Sequence, residues 1–142
     1  MERFEGHGIS FRYPSNWHIA GFSTTVFPAR VAVASYPLPA DAVEGDCGGI
    51  VAVRRLPADG ALVLLIDYGD AGVRGFGPRP RHFALRGGKL ADYECFGHSY
   101  LFQFRIGGRD LQAHLLLGRN ASEMTAAQAL EILDSLSETQ DG

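Results

Sequence analysis

The chain has 142 residues, of which 46% are hydrophobic and 20% charged, a length and balance suited to one folded domain with a sizeable core rather than to a disordered segment. Its formal net charge of -3 gives the protein as a whole no pull toward nucleic acid or an anionic membrane surface. No internal repeat or low-complexity linker divides it, so residues 1–142 read as a single domain.

The first seven residues are polar and lack the apolar stretch of a signal peptide. No run approaches the roughly 20 apolar residues of a membrane-spanning helix. The expectation is a cytoplasmic protein, the alternative being an extracytoplasmic domain trimmed of a signal or anchor. Residues 8–13 alternate, with Ile9, Phe11 and Tyr13 on one face, which predicts a half-buried strand. Pro14, Ser15 and Asn16 supply a turn, after which Trp17 and Ile19 restart the alternation. Residues 31–35 read as a further strand bounded by prolines, and 36–46 as a loop. Strands are predicted over 50–56 and 61–67, joined as a hairpin by Pro57-Ala58-Asp59-Gly60. The second of them, ALVLLID, is apolar on both faces, so it is expected in the middle of a sheet covered on both sides.

Residues 68–81 are too rich in Gly, Pro and Arg for a regular element. A short strand over 82–85 and a glycine turn at Gly87-Gly88 follow. The hairpin 95–117 is the plainest element. Gly107-Gly108 provides the positive φ angles of a two-residue turn and sets the register Ile106–Arg109, Phe104–Leu111, Phe102–Ala113 and Tyr100–Leu115. The other face then sets Arg105 against Asp110, an expected ion pair, and Gln103 against Gln112. A helix over 125–136 is expected to open with a capping box at Thr125 and Gln128 and to bury Ala129, Leu133 and Leu136. Residues 137–142 read as frayed.

Two stretches carry a family resemblance. Phe11-Arg12-Tyr13-Pro14-Ser15-Asn16-Trp17 resembles the opening hairpin of PsbP-like domains, an aromatic strand meeting a Tyr-Pro-x-x-Trp turn. The ending is also similar: a glycine-turned hairpin, then Leu117-Gly118-Arg119-Asn120-Ala121, then a helix carrying Ala129-Leu130-Glu131-Ile132-Leu133-Asp134-Ser135-Leu136. The resemblance implies an antiparallel sheet flanked by helices, in a family of photosystem accessory proteins, a release factor for a nuclear-transport GTPase and bacterial envelope proteins. These are adaptors with unlike partners and no shared catalytic residues, so no residue role transfers. The chain departs from them in having one predicted helix.

Candidate chemistry is sparse. Cys47 and Cys95 are too far apart in sequence for a zinc or redox pair. A disulfide between them is sterically conceivable, but two half-buried thiols in a reducing compartment are the expectation. The hairpin register sends His98 and His114 to opposite faces, where they cannot chelate one ion. His82 could join only one of them, so no metal site and no cofactor is expected. Ser99 is the nearest candidate nucleophile, but it lies mid-strand without an elbow turn. Gly69-Asp70-Ala71-Gly72-Val73-Arg74-Gly75 lacks the Lys-Ser/Thr ending and the following helix of a phosphate loop, and reads as a glycine-rich turn.

One feature stands against the overall charge. Between Arg74 and Lys89 lie Arg74, Arg79, Arg81, Arg86 and Lys89 with no acidic residue among them. Arginine forks suit carboxylates and phosphates, although such a loop can also be solvated or paired with acids of its own chain. The sequence thus predicts an α+β domain, an antiparallel β-sheet of about six strands with a C-terminal α-helix packed on one face, in the PsbP-like manner. Function is expected to be that of a non-catalytic protein-binding or accessory module, with Arg74, Arg79, Arg81 and His82 as candidate binding residues and a protein with an acidic surface as partner. The alternative is a small-molecule binder or small hydrolase whose site lies between the 68–82 loop and the sheet.

Overall fold

The computed structural model describes residues 1–21, 28–44, 49–70 and 74–139. The chain opens with a hairpin of β1 (Glu2–Gly6) and β2 (Ile9–Tyr13), followed by β3 (His18–Ala20) and β4 (Ala29–Ala34). A short helix α1 (Ile50–Arg54) precedes the long strand β5 (Ala61–Asp70). Then come a 3₁₀ turn (Leu85–Gly87), β6 (Lys89–Tyr93), β7 (Gly97–Ile106), β8 (Arg109–Leu117), helix α2 (Glu123–Asp134) and β9 (Ser137–Glu138). The strands form a six-stranded sheet in the order β3-β4-β5-β8-β7-β6 and a three-stranded sheet β1-β2-β9, antiparallel throughout. The expected α+β architecture is present, with the small second sheet in addition.

Strand β5 lies at the centre of the large sheet, between β4 and β8, and Ala61 to Leu65 are completely buried. Its alternate residues feed two cores. Val63 and Leu65 join Val31, Phe104, Leu115 and the α2 residues Ala129, Ile132 and Leu133. Leu62 and Leu64 join Ala32, Tyr36, Ala52, Phe96 and Leu116 on the opposite face. A strand apolar on both sides therefore has a cover on both sides, as its composition requires. The first cover is α2 with the β1–β2 hairpin. The second is the excursion between β4 and β5, including α1.

That excursion corrects one expectation. Residues 50–56 do not form a strand, and the turn at 57–60 does not close a hairpin. Ile50, Val53 and Leu56 recur at three-residue spacing with Arg54 and Arg55 exposed, which suits a helical turn as well as a strand. The helix prevails because β5 already has strand partners on both edges, and the Tyr36 hydroxyl donates 2.6 Å to the Ala52 carbonyl. Residues 82–85 likewise form no strand. The edge strand is β6, one turn later, and β1 and β9 were not legible in their polar sequences.

The β7–β8 hairpin has the predicted register at every pair. Its turn differs in detail: Gly107 has φ +53° and Gly108 has no positive φ, the pattern of a II′ turn. The Gln103 Nε2 to Gln112 Oε1 bond forms at 2.8 Å. The Arg105–Asp110 ion pair does not. Asp110 is completely buried and accepts the Arg74 amide at 3.2 Å, whereas Arg105 Nη1 donates to the Phe76 carbonyl at 3.4 Å. Helix α2 is capped by Ser122, whose Oγ accepts from the Thr125 amide at 3.1 Å, so Thr125 is the third helical residue rather than the cap. Residues 137 and 138 pair with β2 instead of fraying, and residues 140–142 lie outside the described residues.

Candidate functional site

Three clusters of polar side chains among the described residues bear on function, and each takes part in holding the fold. The first joins Ser99 and His114 on one face of β7 and β8. Ser99 Oγ lies 3.0 Å from His114 Nδ1, and Gln112 Nε2 lies 2.8 Å from His114 Nε2. The pairing was implicit in the hairpin register, which puts these residues diagonally opposite on one face, although Ser99 taken alone gave no such signal. A serine touching a histidine invites comparison with a nucleophile and base. The environment argues otherwise. Both side chains are buried, the rings of Tyr93 and Phe96 pack on the imidazole at 5.3 and 4.8 Å, and burial pulls the His114 pKa down to about 4. Among the described residues no carboxylate orients the ring. A base so weak and sealed from solvent has neither the proton affinity nor the access for acyl transfer.

The second cluster centres on Asp67, whose side chain is fully buried. Oδ2 meets His7 Nδ1 at 2.9 Å and Arg109 Nη1 at 2.7 Å, and Oδ1 accepts the Gly69 amide at 2.8 Å. Glu138 lies 3.9 Å from Arg109 Nε and accepts the Gly108 amide at 3.1 Å. The β1–β2 turn, the end of β5, the β7–β8 turn and β9 are thereby tied together. A buried carboxylate requires such partners, and removing one of them leaves an uncompensated charge.

The third involves the predicted basic segment. Arg79, a candidate binding residue, is committed to α2: Nη2 donates to the Leu133 and Asp134 carbonyls at 3.2 and 3.1 Å, and Nη1 donates to the Leu136 carbonyl. Burial lowers its pKa, with Asp134 opposing the shift. A guanidinium on the last carbonyls satisfies acceptors that have no partner within the helix and complements the negative end of its dipole. Arg74 is also partly spent, its guanidinium 4.2 Å above the Tyr68 ring. His82 is exposed, with Nδ1 3.6 Å from Asp134. Arg81 is exposed. The four predicted residues thus do not converge on one point.

None of the four lines the groove that lies beside them, but the loop carrying Arg79 and Arg81 contributes its wall through Pro78 and Pro80. The Phe83 amide donates to Asp134 Oδ1 at 2.7 Å, and Arg79 lies over the Phe83 ring at 5.3 Å. On the other side Arg105 of β7 donates to the Gly77 carbonyl at 2.7 Å and accepts the Arg79 amide at 3.2 Å. The loop is therefore anchored to both α2 and the sheet edge. Between it and β7 lies a groove of about 290 Å³, lined by Pro78, Pro80, Phe83, Lys89 and Phe102 among others. Along β7, Leu101 faces Lys89 of β6 and Arg105 faces the loop. Alternate residues of an antiparallel strand turn their backbone groups to the same side, so Gln103, between them, turns its N–H and C=O toward the groove. No acidic residue lines it. Arg81 and Arg86, chain neighbours of the lining residues Pro80 and Gly87, are exposed together with Lys89, and none of the three forms an ion pair among the described residues.

His98 and His114 lie on opposite faces, and His98 pairs with Asp92 at 2.6 Å. Among the described residues no three His, Cys, Asp or Glu side chains gather to hold a metal ion, and no helix is long and apolar enough to cross a membrane. Of the phosphate-loop-like stretch, Gly69 and Asp70 belong to β5, with a bulge between Asp67 and Asp70, and residues 71–73 lie outside the described residues. Cys95 is disulfide-bonded, contrary to the expected free thiol, and Cys47 lies outside the described residues. No family model matches the chain, and no curated protein or solved structure is significantly similar to it.

Proposed function

We propose that the protein is a non-catalytic accessory module that binds a protein partner carrying an acidic extended segment, and that the groove between the 77–81 loop and β7 receives it. The observation that carries this reading is the groove itself. It combines proline walls, an aromatic floor of Phe83 and Phe102, an outward-turned backbone position at Gln103 and a rim of exposed cations at Arg81, Arg86 and Lys89. Extended peptides bind sheet edges through main-chain hydrogen bonds, with flanking pockets and charges supplying specificity. The anchoring of the loop by Arg79 and Arg105 favours binding, since a wall already in place loses little entropy. The PsbP-like resemblance points the same way, toward adaptors. The Cys95 disulfide supports the extracytoplasmic alternative over the cytoplasmic default, because disulfides persist in oxidising compartments.

The test is isolation of a partner followed by affinity measurement with Arg81→Glu/Lys89→Glu, two exposed positions outside the structural network. Affinity is expected to fall by about ten-fold or more, and wild-type binding to weaken as salt shortens the screening length below about 10 Å. Unchanged affinity in the folded double variant would remove the groove from the interface.

A further inference from the structure

A second concavity shares no lining residue with the groove. It holds about 460 Å³ between α1, the 57–60 turn, the end of β8 and the turn that joins β6 to β7. Its walls are apolar: Val53, Leu56, Pro57, Phe96, Leu116 and Leu117. The volume falls within the roughly 300–1,000 Å³ of small-molecule sites and far exceeds the roughly 30 Å³ of one water. It is not a gap left by loose packing, because its walls are tied down. Gly118 donates to the Gly60 carbonyl at 2.8 Å and Asn120 to the Ala58 carbonyl at 2.7 Å, clamping the 57–60 turn to the end of β8. A side chain at Gly118 would collide with the Pro57 and Ala58 carbonyls, so glycine permits this close approach. Phe96 is held by packing on His114 and by the disulfide at the adjacent Cys95.

Arg119 is the cation of the lining, since His98 is paired with the Asp92 carboxylate at 2.6 Å. Ala58, Gly118, Arg119 and His98 complete the lining, and no carboxylate is part of it. Arg119 is exposed and forms no ion pair among the described residues. Arg54 and Arg55 are exposed beside the wall residues Val53 and Leu56, and Asp59 is exposed beside Ala58. An open apolar cleft with an arginine in its lining matches a ligand with an apolar body and an anionic head. The guanidinium fork suits a carboxylate, and the apolar wall removes hydrocarbon surface from water.

We propose that this cleft binds a small amphiphilic acid, its apolar body against Val53, Leu56, Phe96 and Leu116 and its carboxylate on Arg119. The site is separate from the partner groove and stands whether or not the groove binds protein.

The experiment uses anilinonaphthalene sulfonate, an aromatic anion that fluoresces on leaving water, displaced by decanoate, with decanol as the uncharged control. Decanoate should displace the probe at concentrations about ten-fold lower than decanol, the margin a charge-assisted contact supplies. Arg119→Glu, or Arg119→Ser if the reversal disturbs folding, should erase that margin without changing the melting temperature. Ala58→Trp, which plugs the cleft from an exposed position, should abolish probe binding. Arg81→Glu/Lys89→Glu should leave displacement unchanged, which separates this site from the groove. The proposal is overturned if decanoate fails to displace the probe, if decanol competes equally well, or if the Arg119 variants keep the preference for decanoate.

Discussion

Acidification should weaken this fold through one residue, His114. A histidine in an unfolded chain titrates near pH 6.5, whereas burial lowers His114 to about 4 in the folded protein. Its surroundings suit the neutral ring: Gln103 donates to Gln112, Gln112 donates to Nε2, and Nδ1–H is left to donate to Ser99. A proton on Nε2 would face the Gln112 donor. The sign follows from the depressed pKa. Above pH 6.5 both states hold a neutral ring and stability is full. Between 6.5 and 4 the unfolded chain takes up a proton that the folded protein refuses, so stability falls by about 1.4 kcal/mol per pH unit. Over the whole window the loss is about 3 kcal/mol, a large part of the roughly 5–15 kcal/mol of a typical domain. His114→Gln keeps hydrogen-bonding capacity but cannot titrate. Urea unfolding followed by the fluorescence of Trp17, the single tryptophan, would compare the two proteins at steps from pH 7.5 to 4. The wild-type profile should fall relative to the variant through this window and run parallel outside it. Profiles parallel throughout would refute the burial argument.

Arg79→Met should destabilise by about 2 kcal/mol, because the α2 carbonyls lose a charge-assisted donor, and Arg79→Lys should recover only part of this because an ammonium lacks the planar fork. Calorimetric melting measures both. Leu133→Ala should cost about 2–5 kcal/mol, since Leu133 is completely buried against β5, and a loss below about 0.5 kcal/mol in urea titration would mean that α2 does not dock there. Gly107→Val should cost about 1–3 kcal/mol through strain at positive φ, while Gly108→Val should cost clearly less. Equal melting temperatures for the two variants would contradict the II′ turn.

The hairpin β7–β8 and the central place of β5 were legible from sequence because their information is local. A glycine pair sets the turn and hence the register, and a strand apolar on both faces has to be covered twice. The docking face of α2 was legible from its stripe for the same reason. Where periodicity is ambiguous, local information runs out. The run Ile50-Val51-Ala52-Val53 fits a strand or a helix, and only the full occupancy of both β5 edges, together with the Tyr36 contact to Ala52, makes it helical. The fate of the charges was still less legible. Composition marked 74–89 as a basic segment, yet it could not tell that Arg79 would be drawn to the carbonyls of α2 while Arg81, Arg86 and Lys89 stayed exposed, nor that Asp110 would turn under the loop and leave Arg105. Those outcomes depend on which unsatisfied backbone groups come within reach after the chain has folded. Sequence by itself determined the pattern of burial, because apolar periodicity is local and additive. Tertiary structure alone decided which polar groups hold the fold and which stay exposed, because a hydrogen bond needs a donor and an acceptor brought together from distant parts of the chain.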